Sequence, residues 1–289
     1  MKLLRDCGIF CNDGKDQLKV SEDNFPLEIF YVRNSDIPQY LEDGVVDVAI
    51  VGENLLIETS KNIDVVEHLG FSKCRLSMAL SKDIDTDDLS YFNSKKIATS
   101  YPNTLRRFLE ENNIKADIHV ISGSVEIAPN IGLADGICDI VSSGSTLFKN
   151  GLRETKMILK SEAVLAKNQN LSEDKEVILE KLLFRIQAVK KAKNSKYILL
   201  NVPNAKIDSV SEILPVLKSP TVIPLAEEGW SSIHSVIDDN ISAIFKSDVA
   251  GWSSIHSVID DNSFWEVIDE LKQAGAQDIL IIPIDEMVI

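Results

Sequence analysis

The chain has 289 residues, 45 acidic against 30 basic side chains, a formal charge of −15 and 44% hydrophobic residues. That length accommodates two or three domains with ample core, and the acid excess argues against non-specific nucleic-acid binding, which needs basic surface. No apolar run approaches the roughly 20 residues of a membrane span, and Met1–Asp6 leads into no secretory-signal stretch. An anionic substrate stays open, because a local Arg/Lys cluster or a bound cation reverses the field. Cys7, Cys11, Cys74 and Cys138 form no C-x-x-C pair and have no histidine at metal-ligand spacing. A disulfide framework or zinc site is not expected, Cys138 reads as a small buried residue, and the compartment expected is the cytoplasm.

The first part alternates strands and helices. Leu27–Val32 reads as a strand and Ile37–Glu42 as a short helix, with Ser35 or Asp36 as cap and Pro38 in its first turn. Val45–Val51 is nearly continuous in apolar residues, the pattern of a parallel strand covered on both faces. Lys96–Thr99, His119–Ile121 and Ile137–Val141 read as further strands, and Thr104–Asn112 as a helix capped by Asn103. This rhythm indicates α/β architecture. Ser172–Lys193 reads as a long helix, with Glu173, Asp174 and Glu176 in its first turn and Lys190, Lys191 and Lys193 in its last. Its buried stripe is Ile178, Leu182, Ile186 and Val189.

The last third changes pattern. Tyr197–Val202, Thr221–Leu225, Trp230–Ile237 and Ile279–Ile284 read as strands. Asp208–Leu217 and Ser263–Ala274 read as helices, the second with a Ser263/Glu266 capping box and Gly275 at its end. The order βαββαβ is that of a ferredoxin-like domain. Within it Gly229–Asn240 recurs identically as Gly251–Asn262. Two copies are too few for a solenoid, and the domain has one strand slot for them. Either copy fits that slot, the other joining Ile241–Ala250 as a surface excursion.

Gly136–Leu147 carries the chemistry. A short apolar strand bearing Asp139 runs into Ser142, Ser143, Gly144, Ser145 and Thr146. Gly144 permits φ > 0, so successive N–H groups can converge, the hydroxyls add donors, and a helix from Leu147 would favour negative charge. This is a candidate cradle for a phosphate monoester, with Asp139 placed for ribose hydroxyls or a metal. The competing reading is a Ser/Gly turn with no ligand.

The neighbouring segments favour the cradle. In order, the chain presents Val32–Pro38, Asp43–Asn54, Cys74–Ser77, Ile97–Pro102, Gly123–Pro129, the turn itself and Asn150–Arg153. In this order and spacing it resembles the long form of ATP phosphoribosyltransferase, the first enzyme of histidine biosynthesis. The resemblance runs from about Leu3 to the C-terminus. It implies a two-lobed catalytic part like periplasmic binding proteins, followed by a ferredoxin-like regulatory domain. Lobe one would comprise residues 1–81 and 157–194, lobe two residues 82–156, and the regulatory domain 195–289. The chain would cross near Ser81, return near Lys156, and run Met157–Ala166 as a strand of lobe one.

The implied activity is a glycosyl transfer, from phosphoribosyl pyrophosphate (PRPP) to N1 of ATP, with Mg2+ on the pyrophosphate. Feedback inhibition by histidine and a homo-oligomer, dimer or hexamer, are also implied. Ser142, Ser143, Gly144, Ser145 and Thr146 are then assigned to the 5′-phosphate, and Asp139 and Glu126 to the ribose or its metal. Arg33 and Arg75 are candidates for pyrophosphate or triphosphate charge, against a competing reading as surface ion pairs. Tyr101 is a candidate to stack on adenine, against half-buried core, and Asp135 reads as a turn cap. Asn201 and Thr221 are the candidates for histidine binding. His68, His119, His234 and His256 form no constellation, and no catalytic side chain is singled out. The family opens with a strand and a cationic loop, whereas Met1–Gly8 matches the helix after that loop. If this polypeptide is the full natural product, ATP-dependent turnover is expected to be poor or absent, with PRPP still bound by lobe two. The alternative function is a catalytically impaired two-lobed protein that binds a small anion or histidine.

Overall fold

Apolar residues at alternating and helical spacing decide where strands and helices form. The computed structural model describes residues 2–9, 18–21, 24–193, 195–214, 220–238, 268 and 270–284. In chain order the elements are α1 (Lys2–Asp6), β1 (Lys19–Ser21), β2 (Glu28–Phe30), α2 (Ile37–Glu42), β3 (Val48–Gly52), α3 (Glu53–Thr59) and β4 (Ile63–His68). Then come β5 (Cys74–Ser81), β6 (Lys96–Thr99), α4 (Pro102–Glu111), β7 (Asp117–Val120), β8 (Gly136–Val141), α5 (Ser145–Lys149), β9 (Leu152–Ser161), β10 (Ala163–Asn168) and α6 (Glu173–Lys193). The last are β11 (Ser195–Pro203), α7 (Ile207–Ile213), β12 (Thr221–Pro224), β13 (Trp230–Asp238) and β14 (Gln277–Pro283). No helix among the described residues is long and apolar enough to cross a membrane.

The chain divides into two compact units. One comprises residues 12–21 and 26–180 and holds two main sheets, a three-stranded one in the order β3-β10-β4 and a five-stranded one in the order β7-β6-β8-β5-β9. Two features differ from expectation. β3 pairs antiparallel with β10, and Ile50 at its centre is 37% exposed. An apolar run registers how much of a strand is covered, not the direction of its partner, and Val45–Asp47 stay outside the strand. Second, β5 and β9 both belong to the five-stranded sheet. The chain therefore crosses between sheets at residues 69–73 and again at Glu162, not near Ser81 and Lys156. Met157–Ala166 is accordingly two strands in different sheets. The crossings are bonded together by Leu69 N–H to the Ala163 carbonyl (2.9 Å) and Ala163 N–H to the Phe71 carbonyl (3.0 Å).

The five-stranded sheet is covered on both faces. Leu76, Met78, Leu80, Ile97 and Cys138 pack under Phe92, Leu105 and Leu109 on one side. On the other, Ala79, Ala98, Ile137 and Val141 meet Val125, Ala128 and Leu147. Gly136 starts β8 because a Cβ there would lie 2.9 Å from Leu80 Cδ2 and 3.1 Å from the Ala79 carbonyl. The parallel pairs β6–β7 and β6–β8 bring three strand ends to one edge of the sheet. The chain passes from β6 to β7 on one flank, then to β8 on the other. That is a topological switch point, where the loops after parallel strands separate and leave a crevice.

The other unit contains residues 1–11, 22–25 and 181–289. Along α6, Leu182, Ile186, Val189 and Ala192 are buried. Leu179 is buried too, while Ile178 of the expected stripe is only half-buried. The four-stranded antiparallel sheet, in the order β12-β13-β11-β14, is the ferredoxin-like arrangement of a βαββαβ chain. Ile198, Leu200, Val202 and Ile233 face Val210, Ile268 and Leu271. Gly275, at φ +106°, ends the helix of residues 270–273, because only glycine enters that region without strain. The first copy of the duplicated segment fills the disputed slot: β13 pairs with β11 from Trp230 to Asp238 and with β12 from Ser231 to His234. Cys11, residues 215–217, Ile241–Ala250, the second copy Gly251–Asn262 and the Ser263/Glu266 box lie outside the described residues.

Candidate active site

β8 delivers Asp139 and the turn after it to the sheet edge. Strand alternation puts Asp139 on the same face as Ile137 and Val141, opposite Ser77 of β5. Its Oδ1 accepts the Ile140 N–H at 2.8 Å. Burial, with a smaller contribution from the charge of Glu126, raises its pKa above the ordinary aspartate range. Glu126 sits half-buried in the short helical turn Val125–Ile127. Two oxygen donors that repel each other favour a hydroxyl donor or a hard cation between them. Among the described residues no cluster of three or more His, Cys, Asp or Glu forms a protein metal cage. Asp139 and Glu126 thus fit Mg2+ only as part of a ligand set that a polyphosphate completes.

A strand-to-helix turn is present, but it spans Ser142–Gly144, and the helix begins at Ser145, two residues before the expected Leu147. Gly144 is left-handed, at φ +79° and ψ −2°, and its carbonyl accepts the Phe148 N–H at 3.0 Å. Ser142, Ser143, Ser145 and Thr146 are all exposed, and Ser143 Oγ bonds Ser145 Oγ at 3.0 Å. The helix that follows, α5, has only 5 residues. Its dipole is short, so what the turn can offer an anion is backbone N–H groups and hydroxyls.

Tyr101 follows β6 and is half-buried. Its hydroxyl accepts Asn54 Nδ2 at 3.1 Å, and Asn54 is locked to Ser161 in turn, its N–H donating to Ser161 Oγ at 3.0 Å. Burial, then the charge of Asp139, pushes the Tyr101 pKa up to about 12. The phenol therefore stays protonated at neutral pH. Asn103 does not cap α4. The helix starts at Pro102, whose missing N–H costs nothing in the first turn, and the cap comes from α3. Glu58, 8% exposed, accepts Asn103 N–H (2.8 Å), Thr104 N–H (2.8 Å) and Thr104 Oγ1 (2.7 Å). A carboxylate at a helix N-terminus satisfies orphan donors and meets the positive end of the dipole. Asp135 was expected to cap its own turn; its carboxylate instead accepts Lys96 N–H at the start of β6, at 2.8 Å.

The two arginines part company. Arg33 is exposed and, among the described residues, makes no ion pair. Arg75 is committed: Nε and Nη2 bind Glu154 at 2.6 and 2.5 Å, and Nη1 donates to the Ser142 carbonyl at 3.0 Å. Beside it a cavity of about 620 Å³ opens against the crossings, lined among others by His68, Lys73, Arg75, Ser142, Lys160 and Glu162. Sequence reading passed over Asn54, Glu58, Lys73 and Lys160. The two lysines carry no local motif, and Asn54 and Glu58 act on residues more than 40 positions away. In the ferredoxin-like sheet, Asn201 registers with Ser232 and Thr221 with His234, so both candidates share the open face. Asn201 Nδ2 also bonds Asp278 Oδ2 at 3.2 Å, and Tyr197 OH lies 2.8 Å from His234 Nδ1.

A Ser/Gly turn beside a half-buried acid at a switch point is compatible with nucleotide and sugar-phosphate chemistry. The pattern of the family described as ATP phosphoribosyltransferase matches residues 33–188. The chain belongs to that family. The pattern of the HisG C-terminal domain matches residues 192–245 and 241–286, two segments that divide between the copies of the repeat. The ATP phosphoribosyltransferase of Cytophaga hutchinsonii is 51% identical over 288 residues, covering 100% of this chain and 93% of that protein. That of Bacteroides thetaiotaomicron is 47% identical over 289 residues, covering 100% and 94%. Among solved structures, the ATP phosphoribosyl transferase (HisG:HisZ) complex from Thermotoga maritima matches with a TM-score of 0.55 and 28% identity. That match covers 65% of this chain and 92% of that one. The chain is thus an enzyme of the long ATP phosphoribosyltransferase form, a glycosyltransferase of histidine biosynthesis.

Proposed function

We propose that the enzyme joins PRPP to ATP at the edge of the five-stranded sheet, with Ser142–Thr146 holding the 5′-phosphate. The observation that carries this is the convergence of Tyr101, Glu126, Asp139 and the Gly144 turn after parallel strands. Adenine N1 attacks the anomeric carbon, the C–N bond forms, and the bond to pyrophosphate breaks. N1 is already nucleophilic, so no covalent enzyme intermediate is needed. The residues align two anions and exclude misplaced water. The Asp139 carboxylate accepts ribose hydroxyls, with Glu126 behind it, and favours the positive charge that develops on the ribose. Tyr101, its edge fixed by Asn54, stacks on adenine. Arg33, Lys73 and Lys160 supply charge to the triphosphate and pyrophosphate. Mg2+ would be held by Asp139, Glu126 and polyphosphate oxygens, and when bound it neutralises the leaving pyrophosphate.

In this reading lobe one runs to residue 73 and resumes at Glu162, residues 74–161 form lobe two, and residues 195–289 form the regulatory domain. Histidine binds the open face around Asn201 and Thr221 and lowers turnover. The enzyme works as a cytoplasmic homo-oligomer. The test is pyrophosphate release with ATP and PRPP, with and without histidine. Release that needs both substrates and falls with histidine supports the reading; release from PRPP alone contradicts it.

A further inference from the structure

Arg75, Ser77 and Glu154 form a closed network on the face of the sheet that also carries Asp139. Glu154 Oε1 accepts both Arg75 Nε (2.6 Å) and Ser77 Oγ (2.7 Å), while Oε2 accepts Arg75 Nη2 (2.5 Å). Ser77 is 1% exposed, so the carboxylate is anchored in the sheet. A register shift between Met78 and Ala79 in the β5–β9 pairing brings Glu154 opposite Ala79, on the strand side shared by Ser77 and Arg75. The remaining nitrogen, Nη1, donates to the Ser142 carbonyl at 3.0 Å. Glu154 is held below, and Arg75 above, its ordinary pKa by this contact, so both stay charged at neutral pH.

A carboxylate is an odd neighbour for a site that takes polyanions, unless it orients something. The Ser142–Ser143 peptide is trans, so its C=O and N–H point in opposite directions. Fixing the carbonyl on Arg75 turns the Ser143 N–H away from Arg75. Gly144 at positive φ then lets the following N–H groups converge with it. We propose that Arg75 is a positioning residue, fixed by Glu154 and Ser77, that orients the Ser142–Ser143 peptide so that its N–H addresses the substrate's phosphate. The proposal rests on reading Ser142–Thr146 as the PRPP cradle.

The sign of one substitution separates positioning from direct charge contact. If Arg75 touched the substrate, Glu154 would compete with it, and Glu154→Gln would tighten PRPP binding. If Arg75 orients the turn, the same change loosens the fork and weakens binding. The experiment is calorimetric titration of PRPP into the full chain, its Gly144→Val control, Arg75→Lys, Glu154→Gln and the double variant. KM for both substrates and thermal melts accompany it. Arg75→Lys keeps the charge but loses the fork, and should weaken PRPP roughly tenfold, the worth of a charge-assisted hydrogen bond, while KM for ATP moves less than about twofold. Glu154→Gln should weaken PRPP several-fold, and the double variant should be no worse than Arg75→Lys alone. Ser77→Ala, which leaves the fork intact but less anchored, serves if either variant unfolds and should weaken PRPP roughly threefold. Tighter binding by Glu154→Gln, multiplicative effects in the double variant, or unchanged affinity in folded variants would each overturn the proposal. PRPP affinity indifferent to Gly144→Val would instead remove the cradle itself.

Discussion

Glu58→Ala tests how the start of α4, next to Tyr101, is held. Glu58 is 8% exposed and accepts two backbone N–H groups and one hydroxyl at the start of α4, all within 2.7 to 2.8 Å. Its removal leaves two N–H groups short of a partner in a partly buried place, at about 1–3 kcal/mol each, and takes the cap and its dipole interaction away. Relaxation and water recover part of this, so we predict a loss of about 3 kcal/mol, with Glu58→Gln losing about half as much because one acceptor oxygen remains. In a unit of this size that lowers Tm by roughly 6–12 °C. Differential scanning calorimetry and urea melts followed by circular dichroism measure it. Because α4 begins beside Tyr101, KM for ATP should rise in Glu58→Gln under conditions where the protein stays folded. A loss below about 1 kcal/mol in Glu58→Ala would refute the reasoning, since it would mean that α4 needs no cap from α3.

Four further outcomes follow from the site and the repeat. Asp139→Asn should lower kcat/KM for PRPP roughly tenfold or more in steady-state assays, with little change in Tm; equal kinetics would make Asp139 structural. Burial and Glu126 raise the Asp139 pKa, so the acidic fall in kcat/KM should lie above the ordinary aspartate range and vanish in Asp139→Asn. Glu154 is depressed by Arg75, so its contribution to stability is present above the ordinary glutamate pKa and is lost only as pH falls through its lowered value. Acid melts of Glu154→Gln against the parent should show that window. Deleting Gly229–Ala250 leaves the identical second copy to follow Glu228, so the ferredoxin-like sheet should re-form with Tm unchanged or higher. A large drop in Tm would mean that the two copies are not interchangeable.

What the sequence disclosed follows from how local each cause is. The βαββαβ order, the α2 boundaries and the Gly144 turn rest on neighbours a few residues apart, and they are present as expected. The direction of β3 was not legible, because its apolar run is the same whether β10 lies parallel or antiparallel. The break at Glu162 was marked by Lys160, Ser161 and Glu162 between the apolar Met157–Leu159 and Ala163–Ala166, but the resemblance ran the whole segment as one strand. The cap of α4 was misread because Asn103 is a good cap by type, while the carboxylate that does the work is 45 residues upstream. For Arg75 the ion-pair reading was open beside the ligand reading, but its partner could not be named, since Glu154 lies 79 residues away. Which copy of the repeat fills the sheet could not be read at all, since the two are identical; the fold uses the first.

The claim at the centre of this account is that Ser142–Thr146 grips the phosphate of PRPP. Calorimetric titration of PRPP into the wild-type chain and into Gly144→Val tests it without requiring turnover. Gly144 sits at φ +79°, where valine is strained, and a Cβ added there would meet Val141 Cγ1 at 3.9 Å, an ordinary contact. The valine therefore acts by redirecting the backbone and not by disrupting the core. The account predicts saturable binding in the wild type and a loss of at least roughly tenfold in the variant, with the far-ultraviolet spectrum preserved. Equal affinity in the two proteins would contradict it.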